Sequence, residues 1–143
     1  SSISAGNPSF ITGIAPAPSW WAMGSASDTW SGSVPGATNG KDPCSALGAG
    51  WHLPSAAEWT AVMNAEWISD AVSAFDSRLK LLESGYRSAV DGKAAPNNVG
   101  GHYWTSTAGN GNVAKSVFFD NAYNSFINPM NRGYGAACRC VKN

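Results

Sequence analysis

The chain has 143 residues, enough for one domain. Hydrophobic residues make up 43% of it, so it can bury a core, while charged residues are only 13%, about half the usual share. Nine basic residues balance nine acidic ones, which excludes the electrostatics of general nucleic-acid binding and of adhesion to anionic lipid.

The opening Ser1-Ser2-Ile3-Ser4-Ala5-Gly6 has neither a basic region nor an apolar run, so a signal peptide is not expected there. No apolar stretch approaches the roughly 20 residues of a membrane span, so no membrane insertion is expected. The chain begins with Ser1 rather than Met, which makes a mature form or a piece of something longer the expectation. Seven Trp, five Phe and four Tyr argue against a disordered chain. Residues 1–40 read as an extended segment, because Pro8, Pro16, Pro18 and Pro35 among Gly and Ser deny regular helix. Trp20, Trp21 and Trp30 are expected to pin that segment onto the domain formed by residues 41–143.

The clearest local signal is Trp51-His52-Leu53-Pro54-Ser55-Ala56-Ala57-Glu58-Trp59. Ser55 and Glu58 form a capping box, so a helix should begin at Ala56 with Trp59, Val62 and Met63 on one face. The spacing of Ile68, Val72 and Phe75 predicts a second helix over 66–76. Leu79 and Leu81 alternate, which predicts a short strand. Strands are also predicted at Tyr103–Thr107, over 113–120, and over 136–141. A helical middle followed by a β-rich end with long Asn/Gly loops gives an α+β class.

These landmarks stand in a familiar order: Asp42-Pro43-Cys44, Gly50 to Trp59, Ser84-Gly85-Tyr86-Arg87, Tyr103 to Thr107, and Cys138-Arg139-Cys140-Val141-Lys142. Residues 40–143 resemble the Fibrobacter succinogenes major paralogous domain, a branch of the C-type-lectin-like fold. The same branch includes variable proteins of diversity-generating retroelements. The resemblance implies two helices packed on a small twisted antiparallel sheet with long loops. Within it, 110–136 resembles a retroelement variable region: Asn110, Asn112, Asn121, Asn124, Asn128 and Asn131 alternate with Ser, Phe, Asp, Tyr and Ile. Met130 fits that substitution spectrum poorly.

The resemblance implies a ligand-binding face made of Ser116, Phe118, Asp120, Tyr123, Asn124, Ser125, Ile127, Met130, Asn131 and Tyr134. Alternation directs Val117 and Phe119 inward and Ser116, Phe118 and Asp120 to solvent. Tyr with Asn and Ser is also the palette of antibody contact loops. The implied partner is a protein or glycan on a host or target cell. The implied setting is a phage tail (virion) or a cell surface, as a homo-oligomer or part of a display assembly. The alternative is an undiversified structural or glycan-binding module of a larger Bacteroidetes surface protein.

Cys44 and Cys140 match the early and late cysteines of the family, so the resemblance implies a disulfide between them. Cys138 is expected to be a small core hydrophobe. Trp51, Trp59 and Trp104 are expected in the core with Leu53 and Phe119, leaving Trp20, Trp21 and Trp67 as exposed candidates. No metal or other cofactor is expected. The cysteine spacing is not that of a zinc site, and the late loops lack the clustered carboxylates that calcium needs. The formylglycine-generating oxidases share the fold and the Leu-Pro-x-x-x-Glu-Trp helix start, but their active-site surroundings are not recognisable here. No nucleophile elbow occurs either, so no enzyme is expected.

Overall fold

The computed structural model describes residues 42–88, 93–95, 99–110, 113–122 and 124–143. The N-terminal segment expected at 1–40, with Trp20, Trp21 and Trp30, and the candidate contact residue Tyr123 lie outside the described residues.

A turn of 3₁₀ helix, Pro43–Leu47, begins where the Asp42 carboxylate accepts the Cys44 amide at 2.8 Å. The other oxygen of the same carboxylate accepts the Leu53 amide at 2.9 Å, tying this turn to the entrance of the first helix. Between them runs β1 (Trp51–His52), paired antiparallel with β5 (Val141–Lys142). The disulfide Cys44–Cys140 closes the same corner across 96 residues of sequence.

Helix α1 (Ala56–Ala65) starts as its capping box predicts. The Ser55 hydroxyl accepts the Glu58 amide at 3.2 Å, and the Glu58 carboxylate accepts the Ser55 amide at 2.8 Å. The helix buries Trp59 and Met63 and half-buries Val62. The second helix, α2 (Ala71–Asp76), is shorter than the spacing predicts. The chain breaks at Trp67, whose φ of 54° is left-handed, and restarts where Asp70 and Ser73 cap each other at 2.7 and 3.0 Å. Its buried face is therefore Ala71 and Ala74, while Val72 and Phe75 point to solvent. Ile68 is buried, but ahead of the helix. No strand forms at Leu79 and Leu81, because Lys80 between them has a φ of 49° that bends the chain out of extension.

The larger sheet has the order β2-β3-β4, with β2 at Gly101–Ala108, β3 at Val113–Phe119 and β4 at Ser125–Asn131. Both pairings are antiparallel, and β2 shifts register between Trp104 and Ala108. Strand β4 occupies part of the stretch expected as Asn-rich loop. Of the strand predicted over 136–141, only Val141 extends into regular pairing. Ala137 instead bridges Tyr103 on the outer edge of β2.

The core lies between the helices and one face of this sheet. It gathers Trp59, Met63, Ile68, Ala71, Ala74 and Leu81 with Tyr103, Val117 and Phe119. Tyr103 stacks near Phe119 with centroids 5.9 Å apart, and its hydroxyl both donates to the Leu82 carbonyl and accepts the Leu82 amide. That satisfies a polar atom which burial would otherwise penalise. Gly100 and Gly101 let β2 start hard against β3. A side chain at Gly101 would meet the Phe119 ring at 2.2 Å, and Gly100 has a φ of +89°. The class is α+β, with two helices and two small antiparallel sheets among the described residues.

Candidate functional site

Because side chains alternate across a strand, the register sorts the residues of the large sheet into two faces. Gly101, Tyr103, Val117, Phe119, Ser125 and Ile127 share the inner face. On the outer face, His102, Phe118 and Phe126 stand in one cross-strand row, and Trp104, Ser116 and Asn128 in the next.

The first row is an aromatic ladder. His102 and Phe118 have ring centroids 4.9 Å apart, and Phe118 and Phe126 are 5.2 Å apart. Beyond β2 the ladder continues through Tyr86, edge-on to His102 at 5.0 Å, and then Tyr134, edge-on to Tyr86 at 5.3 Å. Separations of this size are favourable for ring pairs. All but Phe126 are half-buried, whereas Phe126 at the outer strand is 44% exposed. Desolvation pushes the His102 imidazole below its ordinary pKa, with a backbone hydrogen bond to Val99 acting the other way. Burial thus favours the neutral form of the ring.

The second row is different. Ser116 is fully buried and donates to the Asn128 side-chain oxygen at 2.8 Å. This corrects the expectation that it faces solvent, since a small hydroxyl between Trp104 and Asn128 is covered by larger neighbours on the same face. Trp104 itself is half-buried on this outer face rather than in the core, and Trp51 is likewise half-buried. Trp59, Leu53 and Phe119 are buried as expected.

The remaining expected contact residues divide in the same way. Ile127 packs against the core, and the Ser125 hydroxyl is buried on the inner face. Both depart from an exposed position for the same reason: they share the parity of Val117 and Phe119. Asp120 is half-buried and builds the β3–β4 turn. One carboxylate oxygen accepts the Ala122 amide at 2.8 Å and the Asn124 amide at 3.2 Å, and the Asn124 side chain donates to both oxygens. Those bonds, the one from the Asn124 side chain first, hold its pKa below the usual carboxylate value. Met130 is on the outer face and half-buried. The Asn131 side chain accepts the Gly133 amide at 2.9 Å, and Tyr134 closes the ladder. Sequence reasoning missed His102, Tyr86 and Phe126. The signal that finds them is the register itself, because they lie outside or beside the segment that composition singles out.

Arg132 fixes the far end of this face. Its guanidinium donates to the Val113 carbonyl at 2.8 Å and to the Gly109 carbonyl at 2.5 Å, holding the β2–β3 loop against the end of β4.

At the disulfide corner, Cys138 is free and exposed, which corrects its placement in the core. Protein packed around the sulfur, with the Asp42 charge second, still pushes the thiol above its ordinary pKa. His52 Nε2 donates to the Glu58 carboxylate at 2.9 Å. The Ser55 amide, ahead of His52, lowers Glu58 to about 2, and His52 is raised chiefly by Glu58. Trp67 is 86% exposed. Among the described residues no three His, Cys, Asp or Glu side chains gather as a metal site requires, and no helix is long and apolar enough to cross a membrane.

No protein-family model, curated protein or solved structure matches this chain.

Proposed function

We propose that this chain is a C-type-lectin-like ligand-binding domain, similar to the variable proteins of diversity-generating retroelements, that recognises a protein or glycan surface of a target cell. Its setting would be a phage tail or a bacterial surface. The observation that carries this reading is the uncharged aromatic ladder Tyr134–Tyr86–His102–Phe118–Phe126 on the face of the sheet opposite the core. A half-buried ring row on a rigid sheet presents contact area without the ordering cost of flexible side chains. On the same face the neutral Asn128 lies in the next row and the thioether of Met130 in the row beyond, so recognition would rest on shape, ring contacts and neutral hydrogen bonds.

The genetic half of the proposal is tested at the locus. A near-copy of the 110–140 coding region next to a reverse transcriptase gene, differing only at adenines, is the expected finding. An isolated gene without such a copy leaves an undiversified binding module instead. The contact half is tested with Phe118→Ala and Met130→Ala. Each should weaken binding to the target cell at least about tenfold, as interface anchors do, while the near-ultraviolet circular dichroism of the core stays unchanged. Unaltered binding in both would remove the outer face as the contact surface.

A further inference from the structure

Of the rings in the aromatic row, the imidazole of His102 alone gains a charge near neutral pH. It stands in the middle, with Tyr86 edge-on at 5.0 Å on one side and Phe118 at 4.9 Å on the other. Its main chain is pinned. The Ser84 hydroxyl accepts the His102 amide at 3.3 Å and donates to the His102 carbonyl at 3.1 Å, which also accepts the Ala137 amide at 3.0 Å. The ring nitrogen Nδ1 is buried, and no hydrogen-bond partner reaches it among the described residues. The elements packed around the ring carry Glu83, Tyr86 and Arg87 on one side and Asp120 beyond Phe118. Around the Ala137 bridge they carry Tyr134, Cys138 and Arg139. Glu83 is bonded to Asn121, and Asp120 to Asn124 and Ala122, and neither carboxylate acts on the imidazole. A protonated imidazole needs an acceptor at each nitrogen and a counterion or water for its charge. Between the two rings, Nδ1 meets neither.

We propose that His102 is an acid-sensitive link in the contact row: on taking up a proton its ring turns out to water, and the row divides into Tyr134–Tyr86 and Phe118–Phe126. The inference rests on the contact-face reading and adds regulation to it. The face is continuous at neutral pH and broken under acid, which releases what it holds. The sign follows from burial. Desolvation outweighs the backbone hydrogen bond at Val99 and lowers the imidazole below its ordinary 6.5, so the folded chain takes up the proton later than the unfolded one as pH falls. Stability from this residue therefore declines from 6.5 downward and levels off below the folded midpoint. The movement is confined to the side chain, because the bonds of the His102 main chain to Ser84 and Ala137 involve no titrating group. The core residues Tyr103 and Val117 lie on the opposite face of the same strands. His52 is the contrasting case. Beside the Glu58 carboxylate its pKa is raised, so it charges first and without leaving its place.

The experiment follows both histidines by NMR in the full chain with its disulfide intact, from about pH 8 to about pH 4. His52→Gln assigns the two signals. The His102 midpoint should lie below 6.5 and the His52 midpoint above it. Cross-relaxation from the His102 ring to the rings of Tyr86 and Phe118 should be lost through the His102 midpoint, while that between Trp59 and Tyr103 in the core persists. His102→Phe keeps a ring in the row and has no proton to gain. Its melting temperature should rise relative to the unmodified protein as pH falls below 6.5. Binding of the unmodified protein to intact target cells should fall at least about tenfold across the His102 midpoint and stay level in His102→Phe. The proposal is overturned if His102 titrates at or above 6.5, or stays neutral down to about pH 4. It is overturned equally if the charged ring keeps its contacts with Tyr86 and Phe118, as cation–π attraction would hold it. Loss of the Trp59–Tyr103 contact at the same midpoint also overturns it, since the whole domain then unfolds. If His102→Phe does not fold, the titration of the unmodified protein decides. Cell binding that is lost in Phe118→Ala but level across the His102 midpoint keeps the contact face and overturns the acid link. Cell binding indifferent to both, with the row dividing, removes the contact face and leaves the ring movement standing.

Discussion

Gly101→Ala tests the register on which every statement about the outer face depends. A β-carbon at Gly101 would lie 2.2 Å from Cζ, 2.3 Å from Cε2 and 2.8 Å from Cε1 of Phe119. Carbon atoms in contact prefer about 3.5–4.0 Å, so the ring would have to withdraw by more than about 1 Å. It cannot do so cheaply, because Phe119 is fully buried and packed near Tyr103 in the core with Trp59. The expected cost is at the upper end of overpacking, about 3 kcal/mol, or a fall in melting temperature on the order of 10 °C. Urea titration of the disulfide-intact protein reads it as a lower midpoint at unchanged slope. Phe119→Leu, which shortens the opposing side chain, should give partial relief. The double variant should then be at least about 1 kcal/mol more stable than the two separate losses predict. A cost below about 0.5 kcal/mol, or strict additivity, would refute the Gly101–Phe119 pairing. With it would go the pair His102–Phe118, which the same register places one residue along.

Replacing Cys44 and Cys140 together by Ala, with Cys138 kept, should lower stability by about 4–5 kcal/mol, because the bridge closes a 96-residue separation; calorimetry in the presence and absence of reductant checks this. Trp67→Gly should raise the melting temperature, since it relieves a left-handed backbone costing about 1–2 kcal/mol and gives up a side chain that is 86% exposed. A lower melting temperature would mean that Trp67 has a packing role. Glu58, lowered to about 2 by the Ser55 amide and then by His52, adds stability present above its unfolded value of 4.5. That stability is lost as pH falls through about 2. The carboxylate is 47% exposed, so solvent screening limits the gain to about 1 kcal/mol or less. Glu58→Gln should flatten the acid limb of the stability profile over that interval. His52 works in the other direction: raised by Glu58, it contributes below pH 6.5 and ceases to as pH rises through its folded value. His52→Gln should therefore act only on the side where the imidazolium exists.

The sequence made some parts of this fold legible because their causes are local. The start of α1 follows from Ser55 and Glu58, which satisfy each other's amides whatever surrounds them. Strands β2 and β3 follow from alternation that survives into the structure, as Tyr103, Val117 and Phe119 are all buried. The failures have non-local causes. The period that joins Ile68 to Val72 and Phe75 is real as spacing, but the Asp70–Ser73 cap and the left-handed Trp67 divide the segment, so the stripe never forms. Strand β4 was hidden under an Asn-rich composition that reads as loop. Even Pro129, normally a demotion from strand, is admissible there only because the strand is at an edge.

The candidate site illustrates the same limit more sharply. Composition treats 110–136 as one uniform exchangeable segment, but the sheet divides it by parity and by neighbour. Ile127 and Ser125 point inward, so a polar or bulky replacement at Ile127 is opposed by the core. Ser116 and Asn128 are coupled, since losing the amide leaves the buried hydroxyl only a long 3.5 Å contact to the Asn128 carbonyl, and losing the hydroxyl takes away the partner of the half-buried amide. Asp120 and Asn124 hold the turn through four bonds, so varying them moves the loop rather than only its surface. What remains free to change without disturbing the frame is Phe118, Met130 and Tyr134, since the Asn131 side chain holds the Gly133 amide. To these the register adds the exposed Phe126. If this chain is diversified, tolerated substitutions must concentrate at those positions. The pair Ser116–Asn128 must then vary in a correlated way or not at all, a pattern that sequencing of variants selected for folding alone would display before any ligand is known.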